Sequence, residues 1–502
     1  MSIFTASCPC CGAPVSFRSA SSAMAVCGYC NSTLVREADQ LRNAGQMATL
    51  LEDYSPLRIG VSGMYCGTRF TLIGRIQLRY GAGFWNEWYL ILDDGRNAWL
   101  SDASGQYAIT EDKGPVPQAP QFDQLKPGAS LGRQERQYCV SDKRVARCVA
   151  GEGELPFVVG PGWEARGVDF RSRHHFLTLD YSEGFPPRCF EGQAVLLDTL
   201  ACQLLRSPDE IAAQAGRLPG KLAALECPSC AHPIQWVPGS ANHLACPACG
   251  ARLDATDPRA QVLTQAAQAE RSYTLELGLQ GPLDGQPATL IGQMQCSSPR
   301  LGAWSEYLFL RQDGSLRWLV ESDGAWELAT VLDVWPDSVS PSAVKLEGQA
   351  HLQLRSYPST VQHVAGAFNW AVQVGDVTQI TEYRASERGV RVFREQSADE
   401  ITWSRSRPFS PEALAKLGVS AKALAAARDA QEGDDPEGED ADGDDARMSP
   451  WLPRLGKICA ALLLLLNARA LALDTGFALT VCVVALLLFW LPILAWRWGG
   501  DA

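Results

Sequence analysis

The sequence carries no catalytic signature in a suitable context. Neither a GxSxG nucleophile turn, a Walker phosphate loop, an HExxH helix nor a GxGxxG dinucleotide fingerprint occurs where its chemistry would need it. This absence weakens an enzymatic interpretation without excluding one. An enzyme or ligand-binding module would need convergent polar groups between the folded units, and it is kept as an alternative.

We also expect neither a secretory leader nor a disulfide framework. Residues 1–6 have neither a basic start nor a long apolar core, so the sequence predicts no secretory signal. Of the 17 cysteines, eight fall in CxxC pairs and the others follow no framework spacing, which is typical of thiols kept reduced in a cytosol. We therefore expect a cytosolic body. The cysteines outside the pairs are Cys10, Cys66, Cys139, Cys148, Cys189, Cys202, Cys296, Cys459 and Cys482.

Excess positive charge is missing too. The net charge is −12, and residues 429–445 hold ten acidic and no basic side chains, so the rest of the chain is nearly neutral. Between Cys8 and Cys30 the only basic residue is Arg18, and between Cys227 and Cys249 there is none. Because phosphate neutralisation supplies most nonspecific affinity for nucleic acid, we do not expect nucleic-acid binding. A zinc-ribbon nucleic-acid binder remains the third interpretation.

Two cysteine quartets are the strongest signal in the chain. Each consists of a CxxC pair, fifteen residues and a second CxxC pair, which is the spacing of a zinc ribbon. Four thiolates leave no open coordination position, so we predict one structural Zn²⁺ per quartet, with iron as the alternative. Cys10 is a spare thiol, and His232 and His243 are predicted to be surface residues rather than ligands. The predicted ligands are Cys8, Cys11, Cys27 and Cys30 in the first ribbon and Cys227, Cys230, Cys246 and Cys249 in the second.

The two halves of the chain repeat each other. The quartets recur at an offset of 219 residues, and β-rich runs broken by Gly and Asp-Gly turns follow each of them. Thr71-Leu-Ile-Gly matches Thr289-Leu-Ile-Gly, and a hairpin turn at Asp94-Gly95 matches one at Asp313-Gly314. The pattern predicts a mainly β protein with two tandem barrel-like or sandwich-like modules, each preceded by a four-cysteine zinc ribbon.

These motifs resemble the bacterial DUF4178 family, whose function is unknown. The run Trp85-Asn-Glu-Trp-Tyr-Leu and its counterpart beginning at Glu306 contribute to the resemblance. Gly366-Ala-Phe-Asn-Trp370 is similar to a later family element, for which the first half offers Gly153-Glu-Leu-Pro-Phe157. The resemblance covers both β-rich modules and implies a shared fold rather than a reaction.

A repeated aromatic and acidic element has two interpretations. It could form a recognition surface, but we favour aromatic pairs that stabilise a sheet, with the glutamate between them facing solvent. Its members are Trp85, Glu87 and Trp88 in the first half and Trp304, Glu306 and Tyr307 in the second.

Two adjacent histidines suggest acid–base or metal chemistry. His174 and His175 precede Asp180 by a few residues. Neighbouring residues of a strand point to opposite faces, so we do not expect the two histidines to join one site.

The C-terminal part has a different character. Residues 411–428 are Ala-rich and predict a helix, and acidic residues 429–450 predict a disordered linker. Residues 451–498 predict a transmembrane hairpin, because each of two apolar runs is long enough to cross about 30 Å of hydrocarbon. A single span preceded by an interfacial helix is the alternative. Arg454, Lys457 and Arg497 flank the runs and place the body on the cytosolic side.

The predicted function follows from this organisation. We expect a membrane-anchored cytosolic zinc-binding scaffold at a bacterial inner membrane, with lipid around residues 451–498 and an unidentified protein partner. The predicted order is a zinc ribbon (1–35), a connecting helix (36–54), a β-rich module (55–210), a second ribbon with its linker (211–255), a second β-rich module (256–410), a helix (411–428), the acidic linker (429–450) and the hairpin (451–498).

Overall fold

The computed structural model divides the chain into two compact units, Met1–Gly433 and Asp434–Ala502. The residues that the structure describes all belong to the first unit. They are 4–37, 40–48, 50, 55–81, 83–103, 105–160, 162–207, 209–211, 225–234, 243–254, 261–264, 273–340, 342–384 and 389–433.

The unit is built almost wholly from antiparallel strands. In the first half they are β1 Phe4–Ser7, β2 Pro14–Phe17, β3 Met24–Val26, β4 Ser32–Glu37, β5 Gln40–Gln46, β6 Ser62–Tyr65, β7 Thr68–Tyr80, β8 Gly83–Leu92, β9 Asn97–Ala103, β10 Gln106–Pro115, β11 Ser130–Arg133, β12 Arg136–Leu155, β13 Glu164–Ser172, β14 His175–Asp180 and β15 Arg188–Val195. Two short 3-10 helices occupy Phe122–Gln124 and Leu197–Leu200.

The second half repeats this order and adds two helices at its end. Its strands are β16 Leu225–Glu226, β17 Pro233–Ile234, β18 His243–Ala245, β19 Arg252–Asp254, β20 Gln261–Thr264, β21 Gln280–Leu283, β22 Gln286–Ser298, β23 Gly302–Arg311, β24 Leu316–Ser322, β25 Ala325–Val331, β26 Ser338–Val339, β27 Ala343–Leu346, β28 Gln349–Phe368, β29 Val377–Arg384, β30 Arg391–Gln396 and β31 Ile401–Pro408. The helices are α1 Pro411–Lys416 and α2 Ala421–Gly433.

Each half closes into an eight-stranded barrel. In the first, the ring runs β7, β8, β9, β10, β15, β14, β13 and β12, and β12 closes it by pairing with β7. In the second, the ring runs β22, β23, β24, β25, β31, β30, β29 and β28, and β28 pairs with β22. The choice between barrel and sandwich, which the sequence left open, is thereby settled for both modules.

Both faces of the barrel walls are buried. In the first barrel, outward side chains form two separate clusters, covered by peripheral segments around residues 57–61 and 197–205 and around residues 116–131. Inward side chains from strands on opposite sides of the ring share a third cluster, which includes Tyr89, Trp99 and Ala146. Burial on both faces accounts for unbroken apolar runs such as Leu90-Ile91-Leu92.

The second barrel is covered in a related way. Its inward cluster includes Trp304, Leu308 and Val364. Leu414 of α1, Leu417 directly after α1, and Ala427 of α2 cover part of its outer face, and all three are buried. Gly418, with φ +76°, separates the two helices, so the single helix predicted over residues 411–428 is two, and the second extends to Gly433 into the predicted linker.

The connecting helix predicted over residues 36–54 is wrong where the structure describes it. Gln40–Gln46 is a strand, β5, which pairs with β4 as the outer edge of the ribbon. Most of its side chains are exposed, and the apolar contacts come from its ends, where Leu41 packs on the ribbon and Met47 on the barrel interior. Backbone pairing with β4 decided the conformation, because a short helix is marginal without tertiary packing.

The predicted membrane hairpin lies outside the described residues, as does the linker beyond Gly433. Within the part of the chain that the structure describes, no helix is long and apolar enough to span a membrane.

Candidate metal centres

The four CxxC turns share one backbone conformation. The residue after each second cysteine has a positive φ, and its amide donates to the carbonyl oxygen of the first cysteine at 2.7–2.9 Å. Such a turn leaves both cysteine side chains on the same side of the loop. The four positions are Gly12 (+77°), Asn31 (+55°), Ala231 (+59°) and Gly250 (+67°). Three are Gly or Asn, the residues that tolerate this region best.

The turns bring the sulfurs of each quartet together. In both quartets all four Sγ atoms lie within 4.8 Å of one another. Cys8 to Cys30 and Cys11 to Cys27 each measure 3.7 Å between sulfurs, and the corresponding two distances in the second quartet are also 3.7 Å. A tetrahedral Zn²⁺ with Zn–S bonds of about 2.3 Å requires S···S edges of about 3.8 Å. The residues present fit a four-thiolate metal ion, and the distances are too long for disulfides.

The other polar residues near the quartets stay outside them. Cys10 is exposed, and its amide donates to the Cys8 sulfur at 3.4 Å. His232 is exposed and contributes its carbonyl oxygen to the Cys227 amide. His243 lies on β18, where it pairs with Phe368. Among the described residues, the groups that could hold a metal comprise the eight predicted cysteines and no histidine.

Each cluster is attached directly to a barrel seam. Val26 pairs with Gly153 of the closing strand β12, and Cys27 follows immediately. Ala245 pairs with Gly366 of β28 in the same way, and Cys246 follows. The third cysteine of each quartet is therefore one residue from a backbone pairing between its ribbon and the closing strand of the barrel.

Glycines allow three strands to meet at each seam. Gly153 pairs with Val26 on one side and Gly74 on the other, and Gly366 does the same with Ala245 and Gly292. A Cβ on Gly74 would lie 1.7 Å from the Glu154 carbonyl oxygen, and one on Gly292 would lie 2.4 Å from that of Ala367. The sequence analysis matched Gly153 of the first half with Gly366 of the second, and the structure confirms that the two glycines occupy equivalent positions.

A glutamate clamps the first ribbon. Glu154, which is buried, accepts hydrogen bonds from the Arg18 amide (2.7 Å), the Ser19 amide (3.2 Å) and the Ser22 hydroxyl (2.9 Å). These residues form the loop between the two knuckles. Burial raises the pKa of Glu154, although the amides oppose the shift. The equivalent position in the second half is Ala367, whose side chain offers no carboxylate.

The repeated glutamates point into the barrels, so the prediction that they face solvent is wrong. The Trp85 indole donates to Glu87 at 2.8 Å, and the Ser101 hydroxyl donates at 2.6 Å. The Trp304 indole donates to Glu306 at 2.7 Å. Burial raises the pKa of Glu87 to about 7 and also raises that of Glu306. The inward aromatics do pair, as Trp304 does with Tyr357 (6.2 Å between centroids), so a packing role for the element is supported.

The two adjacent histidines do not both lie in a strand, although the prediction assumes that they do. His174 lies in the turn before β14, so strand alternation does not separate it from His175, and their ring centroids are 4.2 Å apart. Asp180 is at the far end of β14 and accepts from the Ser182 amide at 2.8 Å. The structure brings the two rings together without the carboxylate.

One stretch has the letters of a nucleophile motif without its geometry. Gly128-Ala-Ser-Leu-Gly132 spells GxSxG, but Ser130 begins β11 and pairs with Cys139 in a hairpin. A nucleophile elbow requires a sharp turn from a strand into a helix. Ser130 therefore lacks the setting of that chemistry.

Comparisons with known proteins point to one family. The family described as "Domain of unknown function (DUF4178)" matches residues 58–196 and 276–411, which together are more than half of the chain. No curated protein matches. A solved structure, the LG1-3 region of the laminin alpha2 chain, aligns with 72% of this chain and 55% of its own at 9% identity, with a TM-score of 0.10. At that score the alignment carries no structural argument.

Proposed function

We propose that this chain, which belongs to the DUF4178 family, is a metal-stabilised interaction scaffold tethered to a membrane. The observation that carries the proposal is the position of each cysteine cluster, one residue from the backbone pairing that joins its ribbon to the closing strand of a barrel. A metal ion bound there would stabilise the fold rather than a reaction intermediate, because four thiolates fill its coordination sphere.

Zinc is the metal we propose for both clusters. It forms tetrahedral four-thiolate sites readily, and its binding free energy would hold together small ribbons whose own apolar clusters are limited. Iron bound by four thiolates is the second choice. The protein's residues would supply the eight thiolates and the backbone turns that orient them.

Tethering rests on the sequence beyond Gly433. We propose that residues 451–498 anchor the chain in the inner membrane of a bacterium, with the barrels in the cytosol. The acidic residues 429–445 would hold the scaffold away from anionic headgroups.

The proposed partner is a protein rather than a nucleic acid. Arg18 is the one basic residue between the cysteines of the ribbons, so these loops offer little positive charge to neutralise phosphate. Tyr29, at the tip of the second knuckle, is 78% exposed and offers an aromatic contact typical of protein interfaces.

Metal counting tests the first half of the proposal. Purified full-length chain should contain two ions, Cys246→Ser should contain one, and Cys10→Ser should still contain two. Elemental analysis with protein quantification gives the ratio. A folded wild-type chain without bound metal would overturn the scaffold's metal role.

Fractionation tests the second half. The full-length chain should require detergent for extraction from membranes, whereas a chain ending at Gly433 should remain in the aqueous fraction. A full-length chain recovered without detergent would overturn the anchoring and leave the metal result untouched. Crosslinking of the native chain in its membrane would then identify the partner.

A further inference from the structure

The two barrels meet along an interface that includes a short charged junction. Elsewhere along this interface the Trp335 amide donates to the Arg173 carbonyl at 2.9 Å, and Cys139 packs against the apolar cluster around Trp403. Asp142 of β12 forms an isolated antiparallel bridge with Glu400, which precedes β31. The Lys143 amide donates to the Asp399 carbonyl at 3.0 Å, and the Arg144 guanidinium donates to the Glu400 carboxylate at 2.6 Å. Arg144 also contacts the Asp142 carboxylate at 2.5 Å and lies 4.0 Å from the Tyr80 ring centroid. One arginine therefore joins carboxylates from both barrels.

Equivalent cross-strand positions of the two barrels hold different residue types. In the second barrel this position holds Arg355 opposite Glu382, with N···O distances of 2.8 and 3.2 Å. In the first barrel, 213 residues earlier on both strands, it holds Asp142 opposite Asp169. An ordinary ion pair in one repeat is a pair of acids in the other, and like charges directly opposite each other destabilise a sheet.

Carboxyl groups outnumber guanidinium groups around this acid pair. The first barrel contributes Tyr80, Glu87, Asp142, Arg144, Asp169 and Arg171. The second contributes Asp333, Arg394, Glu395 and Glu400, while the Lys143 side chain is directed away, onto Phe122.

The carboxylates of the two aspartates differ in their hydrogen bonding. Asp169 accepts from the Thr178 hydroxyl at 2.6 Å. The Oδ1 atom of Asp142 is buried and has no hydrogen-bond partner among the described residues, although its other oxygen meets Arg144. A buried acceptor of this kind is costly as an anion and can be relieved by a proton.

We propose that the junction is a pH-dependent clamp, in which a proton shared by Asp142 and Asp169 lets Glu400 of the second barrel dock on Arg144. With both aspartates ionised, their repulsion and the Glu400 charge oppose docking. With one proton on the aspartate pair, Arg144 binds the ionised aspartate and Glu400. The protonated aspartate can then donate a hydrogen bond.

Burial raises the pKa of Asp142 and of Asp169, and Glu400 adds to both shifts. Burial alone would lower the pKa of Arg144, but Asp142 and Glu400 raise it, so the arginine stays charged. The docked state thus binds a proton that the undocked state releases. Docking is strongest at low pH and weakens as pH rises through the raised pKa of the acid pair.

Hydrogen exchange of the full-length chain in detergent measures the clamp directly. The reporter is the Lys143 amide, which bonds across the junction, and the control is Leu90, buried in the wall of the first barrel. Both amides are measured in a Glu87→Gln background, because titration of Glu87 would by itself lower the protection of the whole first barrel as pH rises. After correction for intrinsic exchange, protection of Lys143 should fall at least about tenfold between pH 6 and pH 8.5, while that of Leu90 changes less. Equal falls at both amides, or no fall at Lys143, would overturn the clamp.

Substitutions at Asp142 and Asp169 test whether this acid pair causes the pH dependence. Asp142→Asn should flatten the pH dependence of Lys143 protection, and the double variant Asp142→Arg with Asp169→Glu, which copies the ion pair of the second barrel, should do the same. Asp112→Asn, which breaks an exposed ion pair with Arg188 on the same barrel, should keep the wild-type profile. An unchanged profile in both acid-pair variants would overturn the proposal, and the wild-type profile alone decides if one variant does not fold.

Discussion

Glycine is a requirement at the barrel seams. Gly74 and Gly153 in the first barrel, and Gly292 and Gly366 in the second, allow the closing strand to pair with the ribbon and the barrel at the same point. Gly153 and Gly366 also have positive φ values of +69° and +88°. No other residue type satisfies both the spacing and the backbone conformation without strain.

Gly74→Ala should therefore be severely destabilising. The added Cβ would lie 1.7 Å from the Glu154 carbonyl oxygen, so the seam must open. We expect a loss of about 4 kcal/mol or more, or failure to fold, measured by urea denaturation. Gly81→Ala is the matched control, because a Cβ there meets nothing within 4 Å, and a similar loss in both variants would contradict the explanation.

Glu87 makes stability depend on pH. Its folded pKa is raised to about 7 by burial, whereas an unfolded glutamate titrates near about 4.3. The folded state holds the proton more tightly, so this contribution is present below the unfolded pKa and is lost as pH rises through about 7.

Glu87→Gln should flatten that dependence. Between pH 5 and pH 8.5 the wild-type free energy of unfolding should fall by about 2 kcal/mol more than that of the variant. Urea denaturation at several pH values provides the comparison. Glu183→Gln, at an exposed position, should follow the wild type. A Glu87→Gln profile parallel to the wild type would show that this carboxyl does not titrate as inferred.

At the scale of elements, the ribbons are extensions of the barrel sheets. Strands β3 and β18 are three residues long and carry a cysteine directly after their last residue. Their pairing with the closing strand transmits any loosening of the metal cluster to the seam. The Glu154 clamp adds a polar attachment to the first ribbon.

Glu154→Ala should weaken the first ribbon selectively. It leaves the amides of Arg18 and Ser19 without their acceptor, a loss of about 3 kcal/mol in total. Metal release to a chelator should then be faster in a Cys246→Ser background, where only the first cluster remains complete. In a Cys27→Ser background, where only the second remains, the rate should not change. Equal acceleration in both backgrounds would mean that the clamp does not act on the first ribbon.

For the whole molecule, the boundary at Gly433 separates the two compact units. The helices before it belong to the second barrel, because Leu414 and Leu417 are buried in its outer cluster and a Cβ on Gly281 would lie 2.8 Å from Leu417. The apolar C-terminal runs follow only after that boundary.

Two truncations should separate these roles. A chain ending at Gly433 should keep two bound ions and an unfolding free energy within about 0.5 kcal/mol of the full-length chain. A chain ending at Ser410 should lose about 3 kcal/mol or more, because two buried leucines are removed. Calorimetry in the same detergent compares all three chains. Equal stability of the two truncations would refute the packing role of the helices.

Features that depend on local spacing can be predicted from the amino-acid order without the fold. The CxxC turns need only a tight loop with a left-handed residue after the second cysteine, so Gly12, Asn31 and Gly250 were readable in advance. The duplication, the hairpin at Gly95 and the β-rich character follow from repeated short-range patterns as well.

Tertiary structure alone decided the features that depend on which strands become neighbours. The closing pairings join residues far apart in the chain, such as Gly74 with Gly153, and they set which side chains face inward. For that reason the direction of Glu87, the strand at Gln40–Gln46 and the meeting of Asp142 with Glu400 could not be read from the sequence. A residue's local pattern fixes its alternation along a strand, but ring closure fixes which face is the interior.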